Sequence, residues 1–232
     1  METLDPEALL RATTPVPRET DPANWWCVRY REKAEIAKRL GKAVEIVLFG
    51  DSITQNFERE GFGKDVSDAA MKNYCWLDLG FIGDRTQQML YVIEHGDFFP
   101  ALQPQLAVIL IGTNHFEFNE SGPREAAAGI RRAVDSLRRL TPGTKILLLG
   151  VLPHADGGDY GHNAGNREIN AIISAFADNQ KVFFADFSPL FIDGEGRLKK
   201  DLYLDDHLHP SEAGYRVYAE ALRPYLERFV QK

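Results

Sequence analysis

An aspartate and a histidine three residues apart form the most informative pair of side chains in the sequence. Asp206 precedes His209, and His207 between them is a competing candidate base. A histidine acts as a general base when an acceptor holds its second ring nitrogen, and a carboxylate three residues earlier can reach that nitrogen. The register matters, because Asp205 has Leu208 at the same spacing. We therefore predict that His209 is the base and that Asp206 orients it.

A serine at the end of an apolar run is the candidate nucleophile. Ser52 lies in the segment 50–54, Gly-Asp-Ser-Ile-Thr, directly after a run typical of a buried strand. A serine between a strand and a helix can expose its hydroxyl and place its backbone N–H at the positive end of the helix. These properties suit a nucleophile whose attack generates an oxyanion. A plain helix N-cap is the alternative, and it is favoured when Ser52 is considered alone.

Two further polar clusters offer donors for such an oxyanion. Asn114 follows Gly112 and Thr113, and its side-chain amide could donate to a negatively charged oxygen. Gly83 lies in the segment 80–84 and could present its backbone N–H, because no Cβ blocks a close approach. Each residue also has a plainer interpretation as part of a turn.

Composition and charge exclude several classes of protein. The chain has 232 residues, of which 44% are hydrophobic and 26% charged, which is typical of a globular protein and not of a disordered one. The net charge of −7 argues against a nucleic-acid partner, since binding to phosphates needs a basic surface. The two cysteines have no CxxC spacing, which argues against a disulfide framework and against a thiolate zinc site. A metal site at Asp205, His207 and His209 lacks a further ligand cluster, so we predict neither metal nor cofactor.

Apolar runs and amphipathic segments alternate along the chain, and this pattern predicts the elements that position the polar clusters. The predicted strands are Val44–Phe49, Tyr74–Leu79, Leu106–Ile111, Ile146–Leu149 and Val182–Ala185. The predicted helices are Trp25–Leu40, Thr86–Glu94, Arg124–Leu140, Asn166–Ala177 and Ser211–Phe229. Such alternation indicates an α/β fold, a three-layer αβα sandwich with a five-stranded parallel sheet. The clusters would then meet at the carboxyl edge of that sheet, where open α/β folds bind ligands.

The pattern also predicts the domain organisation. Residues 1–23 contain four prolines and are expected to form an irregular N-terminal arm, and residues 24–232 are expected to form one domain. No apolar segment is long enough to span a membrane. The N-terminus lacks the basic and apolar segments of a secretory signal, which predicts either a cytoplasmic protein or an exported one whose leader has been removed.

The remaining polar candidates have weaker signals. His115 follows Asn114 and either lines the site or closes a turn. A long loop, Pro153–Gly165, contains further polar residues that either contact substrate or are simply exposed: His154, Asp156, Asp159, Tyr160 and His162. His95 is expected to cap a helix, and the tryptophans are expected to be packing residues.

Taken together and in order, the four clusters resemble the GDSL/SGNH hydrolase superfamily. The matching blocks are Gly50-Asp51-Ser52-Ile53, Gly80-x-x-Gly83-Asp84, Gly112-Thr113-Asn114 and Asp206-His207-Leu208-His209. The resemblance implies a flavodoxin-like fold and a serine esterase with Ser52, His209 and Asp206 as catalytic triad. It also implies an oxyanion hole made of Ser52, Gly83 and Asn114. The second block departs from the family pattern at Ile82, where a glycine is usual, and at Asp78, where an asparagine is usual.

Within the superfamily, the chain is similar to platelet-activating factor acetylhydrolases and to bacterial carbohydrate acetylesterases. The similar stretches are Gly83–Gln87, Leu149–Pro153, Leu208–Tyr215 and the Trp25-Trp26 pair. This similarity implies an acyl pocket near Ile53, Thr113 and Leu208, and two bulky side chains there favour acetyl over longer acyl groups. An O-acetyl group on a carbohydrate or similar small molecule is the expected substrate.

Other interpretations stay open at this point. A lysophospholipase, a thioesterase or an acetylhydrolase acting on a lipid could use the same residues. A catalytically silent binding module on the same scaffold is a further alternative, since fold does not imply function. The resemblance also implies a homodimer, although no residue in the sequence identifies an interface.

Overall fold

Five parallel strands form the centre of the molecule in a computed structural model that describes residues 4–117, 121–154 and 162–231. The strands are β1 (Ile46–Gly50), β2 (Trp76–Gly80), β3 (Leu106–Leu110), β4 (Lys145–Leu149) and β5 (Val182–Ala185). Their order in the sheet is β2-β1-β3-β4-β5, and every neighbouring pair is parallel. The predicted α/β fold with a five-stranded parallel sheet is confirmed, and the strand order is the flavodoxin-like one.

Helices cover both faces of this sheet. They are α1 (Pro6–Thr13), α2 (Trp25–Leu40), α3 (Ser52–Phe57), α4 (Lys64–Ala70), α5 (Thr86–Glu94), α6 (Asn114–Glu117), α7 (Pro123–Leu140), α8 (His162–Ser174) and α9 (Glu212–Phe229). Short 3₁₀ turns occur at Gly41–Ala43, Ser188–Leu190 and Lys200–Leu202. Local signals define several helix ends: Asn24 caps α2, Pro123 begins α7, and Ser211 caps α9.

Successive residues of each strand enter different hydrophobic cores, as the pleat of a strand requires. In β1, Val47 and Phe49 pack with residues of α2, α5, α7 and α8 on one face. Ile46 and Leu48 pack with residues of α3, α4 and α9 on the other face. Every residue of β1 is buried, which explains the continuous apolar runs in the sequence.

The structure corrects the sequence-based prediction in three places. The N-terminal arm is not irregular throughout, because residues 6–13 form α1, with Asp5 as N-cap and Pro6 in the first turn. Helices α3 and α4 were not predicted, because they have only six and seven residues and show too few helical turns for a periodic pattern. Helix α8 begins four residues earlier and ends three residues earlier than expected.

The register of the sheet brings the polar clusters to one edge. Gly50, the last residue of β1, pairs with Gly80 of β2 and with Leu110 of β3. The segments that follow these three strands therefore leave the sheet side by side. They carry Ser52, Gly83 and Asn114, respectively.

Candidate active site

Ser52 is the first residue of α3 and directly follows the turn out of β1. The N-cap of this helix is Asp51, whose Oδ1 accepts the N–H of Ile53 at 2.9 Å. Ser52 is therefore not the cap, and its hydroxyl is available for another partner. Its backbone N–H has no acceptor among the described residues, as is usual for the first turn of a helix.

A chain of two hydrogen bonds links this serine to the predicted histidine and aspartate. Ser52 Oγ lies 2.9 Å from His209 Nε2. His209 Nδ1 in turn lies 2.7 Å from Asp206 Oδ2. Ser52 and His209 are 157 residues apart in the sequence, and the fold brings them together. The arrangement is that of a nucleophile, a general base and an orienting carboxylate.

The loop before α9 holds the carboxylate in position. Asp206 Oδ1 accepts the backbone N–H groups of Leu208 and His209, each at 2.9 Å. Burial raises the pKa of Asp206, but the hydrogen bonds from His209 and Leu208 outweigh it, so this pKa lies below its usual value. His207 has a φ of +54°, in the left-handed region, which lets the chain turn between the two triad members.

The segments that follow β1, β2 and β3 each carry one N–H donor that could serve an oxyanion. The backbone N–H of Ser52 is one, and the N–H of Gly83 is another, with no acceptor among the residues that the structure describes. Gly83 has a φ of +74°, a conformation that glycine adopts without steric cost. Asn114 Nδ2 donates one of its hydrogens to Asp84 O at 2.9 Å, which leaves the second hydrogen of the amide for a ligand. Donors of this kind can stabilise a tetrahedral oxyanion.

Side chains from several elements hold the loop that carries Gly83. Gln55 Oε1 accepts the N–H of Ile82 at 2.9 Å. Asp84 is buried, and its carboxylate accepts Nε1–H of Trp26 at 3.0 Å. Burial raises the pKa of Asp84 well above its usual value, although the Trp26 hydrogen bond and the nearby Arg18 guanidinium lower it. Trp26 is thus a packing residue that also bonds this carboxylate.

The two departures from the family pattern have structural explanations. Ile82 stands at the outer turn of the loop and is only partly buried, so a side chain is accommodated there. Asp78 is buried in β2, where its carboxylate accepts the N–H of Gly80 at 2.8 Å and Nη2 of Arg29 at 3.0 Å. The charge of Arg29 accounts for an acidic residue at this position, since a buried carboxylate needs a cationic partner.

Each residue predicted to line an acyl pocket is the sequence neighbour of a proposed triad or oxyanion-hole residue. Ile53 and Thr113 are both buried, and Leu208 is partly buried. Among the described residues, Thr113 Oγ1 has no hydrogen-bond partner. Their common role in an acyl pocket stays a prediction.

The other histidine candidates have structural partners. His115 is buried, with Nε2 accepting the N–H of Thr86 at 3.2 Å and Nδ1 lying 2.5 Å from Ser121 Oγ. Burial, together with the nearby Arg85, lowers the pKa of His115 to about 3, so its ring is neutral. His95 caps α5, as predicted, and stacks on Tyr91 with the ring centroids 4.2 Å apart.

The candidates in the long loop fall mainly between the described ranges. Asp156, Asp159 and Tyr160 lie outside the described residues, as does the side chain of His162. His154 is buried and lies five residues after the last residue of β4. Within the described ranges, no group of three or more His, Cys, Asp or Glu side chains is arranged to hold a metal ion. None of the helices in this part of the chain is long and apolar enough to cross a membrane.

Three residues near the site were not singled out from the sequence. Arg18 of the N-terminal arm donates to Gly83 O at 2.6 Å. Gln55 Oε1 accepts the N–H of Ile82 in the loop that carries Gly83. Tyr215 Oη donates to the backbone carbonyl of Ile53 at 2.8 Å. Tyr215 falls in one of the family-like stretches, which was a signal for it. No sequence pattern distinguishes Arg18, which lies in a proline-rich segment, from an ordinary exposed arginine.

Several known proteins are similar to this chain in sequence or in structure. The sequence profile of the GDSL-like lipase/acylhydrolase family matches residues 48–217. The alpha1 subunit of platelet-activating factor acetylhydrolase IB from Rattus norvegicus is 26% identical over 219 residues, which cover 94% of this chain and 88% of that protein.

Two solved structures show the same fold. A GDSL-like lipase from Bacteroides thetaiotaomicron is 20% identical, with a TM-score of 0.68, over 86% of this chain and 97% of that one. A carbohydrate acetylesterase from Sinorhizobium meliloti is 19% identical, with a TM-score of 0.60, over 80% of this chain and 99% of that one.

Proposed function

The chain belongs to the GDSL-like lipase/acylhydrolase family and is a hydrolase, and from this premise we propose that Ser52 is its nucleophile. The hydrogen-bond chain from Ser52 through His209 to Asp206 carries the proposal. The predicted relationship to this family is confirmed by the match over residues 48–217. The roles of the individual residues are proposals that rest on geometry.

The proposed reaction is a two-step acyl transfer to water. His209 accepts the proton of Ser52 Oγ as this oxygen attacks the ester carbonyl, and Asp206 stabilises the imidazolium that forms. The N–H groups of Ser52 and Gly83 and the amide of Asn114 bind the tetrahedral oxyanion. His209 then gives its proton to the leaving alkoxide, which departs as an alcohol. Water attacks the acyl-enzyme with His209 again as base, and the carboxylic acid is released.

We further propose that the acyl group is short, with acetyl as the preferred group. Ile53 and Leu208 flank the nucleophile and the base in sequence, and bulky side chains there would leave little room for a long chain. Thr113 would contribute the remaining side. Widening the site at Ile53 with Ile53→Ala should shift the preferred chain length upward, since one methylene is worth about 1 kcal/mol in such a pocket.

The alcohol part of the ester has two candidates. An O-acetylated carbohydrate is the first, and the solved carbohydrate acetylesterase shares the fold. A lipid acetyl ester is the second, and the curated platelet-activating factor acetylhydrolase subunit favours it through sequence similarity over 94% of this chain. The tryptophan pair does not decide between them, because Trp26 is buried and only Trp25 is exposed. A homodimer also stays a prediction.

A panel of esters tests the proposed activity. Wild-type protein should hydrolyse p-nitrophenyl acetate faster than the C8 and C12 esters, and Ser52→Ala should abolish the hydrolysis while leaving the fold intact, since Asp51 caps the helix. Acetylated xylan and an acetyl glycerophospholipid, assayed for released acetate, then distinguish the two alcohols. Full activity in Ser52→Ala contradicts the proposed nucleophile, and a preference for long chains contradicts the proposed acyl group.

The two neighbouring histidines provide a matched pair of variants. His209→Ala should remove activity, because His209 alone of the pair is bonded to Ser52. His207→Ala should keep it. Inactivity of the His207 variant together with activity of the His209 variant would reverse the assignment of the base.

A further inference from the structure

An arginine from the N-terminal arm covers the glycine of the proposed oxyanion hole. Arg18 Nη1 donates to Gly83 O at 2.6 Å and lies 3.9 Å from Asp84 Oδ1. A Cβ atom placed on Gly83 would lie 2.9 to 3.1 Å from three atoms of the guanidinium group. The guanidinium therefore packs directly against the Cα of Gly83, and a side chain at residue 83 would have to displace it.

The arm is attached to the domain on both sides of this arginine. Before it, the N–H of Val16 donates to Gln87 O at 3.2 Å. After it, Cys27 Sγ bonds to Glu19 O at 3.3 Å. Because the backbone is held at both ends, the side chain of Arg18 approaches the loop from a defined position, unlike a freely rotating surface arginine.

We propose that Arg18 is a positioning residue for the loop that presents the N–H of Gly83, an inference that rests on the proposed function. Gly83 adopts a φ of +74°, and the carbonyl that follows this torsion is the one that Arg18 binds. A charge-assisted hydrogen bond at this carbonyl restrains the direction of the preceding N–H. Donors that are aligned before the reaction stabilise an oxyanion without reorganisation during the step.

Arg18 completes a set of restraints around one short loop. Gln55 binds the N–H before Gly83, Asn114 binds the carbonyl after it, and Trp26 binds the Asp84 carboxylate. Arg18 is the member of this set that comes from outside residues 24–232. The N-terminal arm therefore contributes a residue to the support of the proposed oxyanion hole.

This role predicts a loss in kcat more than in KM. Arg18 acts through Gly83, so its removal should weaken stabilisation of the transition state and leave binding of the ground-state ester nearly unchanged. We expect a 10- to 100-fold fall in kcat for Arg18→Ala, since displacements of about 1 Å in a catalytic group have effects of this order. Arg18→Lys should restore part of the loss, because an ammonium group can still donate to the carbonyl.

Arg31→Ala is the matched control. Arg31 Nη2 donates to Pro22 O at 2.7 Å, so it also fastens the arm through a guanidinium-to-carbonyl bond, but away from Gly83. With p-nitrophenyl acetate as substrate, the control should keep the wild-type kcat. Free guanidinium at non-denaturing concentration should raise the kcat of Arg18→Ala and leave that of Arg31→Ala unchanged.

Amide hydrogen exchange gives a second measurement that does not depend on activity. Peptides covering residues 80–85 should exchange faster in Arg18→Ala than in wild type, and at the wild-type rate in Arg31→Ala. If wild-type protein shows no Ser52-dependent hydrolysis, the proposed function fails, and the exchange experiment still decides whether Arg18 holds the loop. Unchanged kcat with unchanged exchange overturns the inference. A rise in KM alone overturns it as well, because Arg18 would then contact the substrate.

Discussion

Replacement of Asn114 by alanine should lower both catalysis and stability, and the two effects come from different hydrogens of its side-chain amide. The amide of Asn114 has two hydrogens: one donates to the buried carbonyl of Asp84 at 2.9 Å, and the other is free for the oxyanion. Loss of the free donor should lower kcat by about 10²- to 10³-fold with little change in KM. Loss of the bonded donor leaves a buried carbonyl unsatisfied, which should lower the free energy of unfolding by about 1–3 kcal/mol.

Asn170→Ala is the control for the second effect. Asn170 is also a buried asparagine, and it bonds the N–H of Val151 at 2.7 Å and the carbonyl of Val151 at 3.1 Å. Its removal leaves two backbone groups unsatisfied, so it should destabilise the protein at least as much as Asn114→Ala does. It donates nothing toward Ser52, and we therefore expect its kcat to equal that of wild type.

Urea denaturation and steady-state kinetics with p-nitrophenyl acetate measure the two effects independently. Kinetics are run at a temperature where both variants are folded. A loss in kcat of less than about tenfold for Asn114→Ala would refute its role as an oxyanion donor. A loss in kcat for Asn170→Ala that scales with its destabilisation would show that the kinetic effect of either substitution is a consequence of unfolding.

Three further outcomes follow from the site and its surroundings. His115 is neutral when folded, with a pKa of about 3, and gains a proton near pH 6.5 when unfolded, so it destabilises the protein as the pH falls from 7 to 5. The free energy of unfolding should fall by about 2 kcal/mol between these pH values. Denaturation at pH 7 and pH 5 should show this fall in wild type and not in His115→Gln. An equal fall in the variant would contradict the buried neutral ring. Asp206→Asn should lower kcat by about 10²-fold or more, less than the ~10⁴-fold known for a fully buried triad carboxylate, because Asp206 is partly exposed. Retained wild-type kcat would remove Asp206 from the triad. Gly83→Ala should lower both kcat and stability, since it places a Cβ 2.9 Å from Arg18 in a backbone conformation that costs about 1–2 kcal/mol for alanine. Stability measured by denaturation that matches wild type would contradict the left-handed backbone conformation of Gly83.

Much of the architecture could be predicted from the sequence, because apolar runs and helix start and stop signals recur along the chain. Continuous apolar runs are typical of strands covered on both faces. Strand β5 lies at the predicted residues, and the other four strands are shifted by no more than two positions at either end. Helix α2 matches its predicted bounds because Asn24 and Gly41 supply clear start and stop signals. Helices α1, α3, α4 and α6 were not predicted, since short helices show too little periodicity to be distinguished from loops.

The sequence by itself determined which residues are candidates for the site and that a parallel sheet would bring them to one edge. A three-residue spacing, a serine after a strand and two polar turns were sufficient for that, because the carboxyl ends of parallel strands meet at one edge. The spacing favoured His209 over His207, but only the tertiary structure placed His209 Nε2 2.9 Å from Ser52 Oγ, since the turn at His207 depends on a left-handed backbone angle that no local pattern reveals. It alone placed Arg18 on Gly83, because a contact across 65 residues depends on how the arm docks and not on any feature of the arm's own sequence.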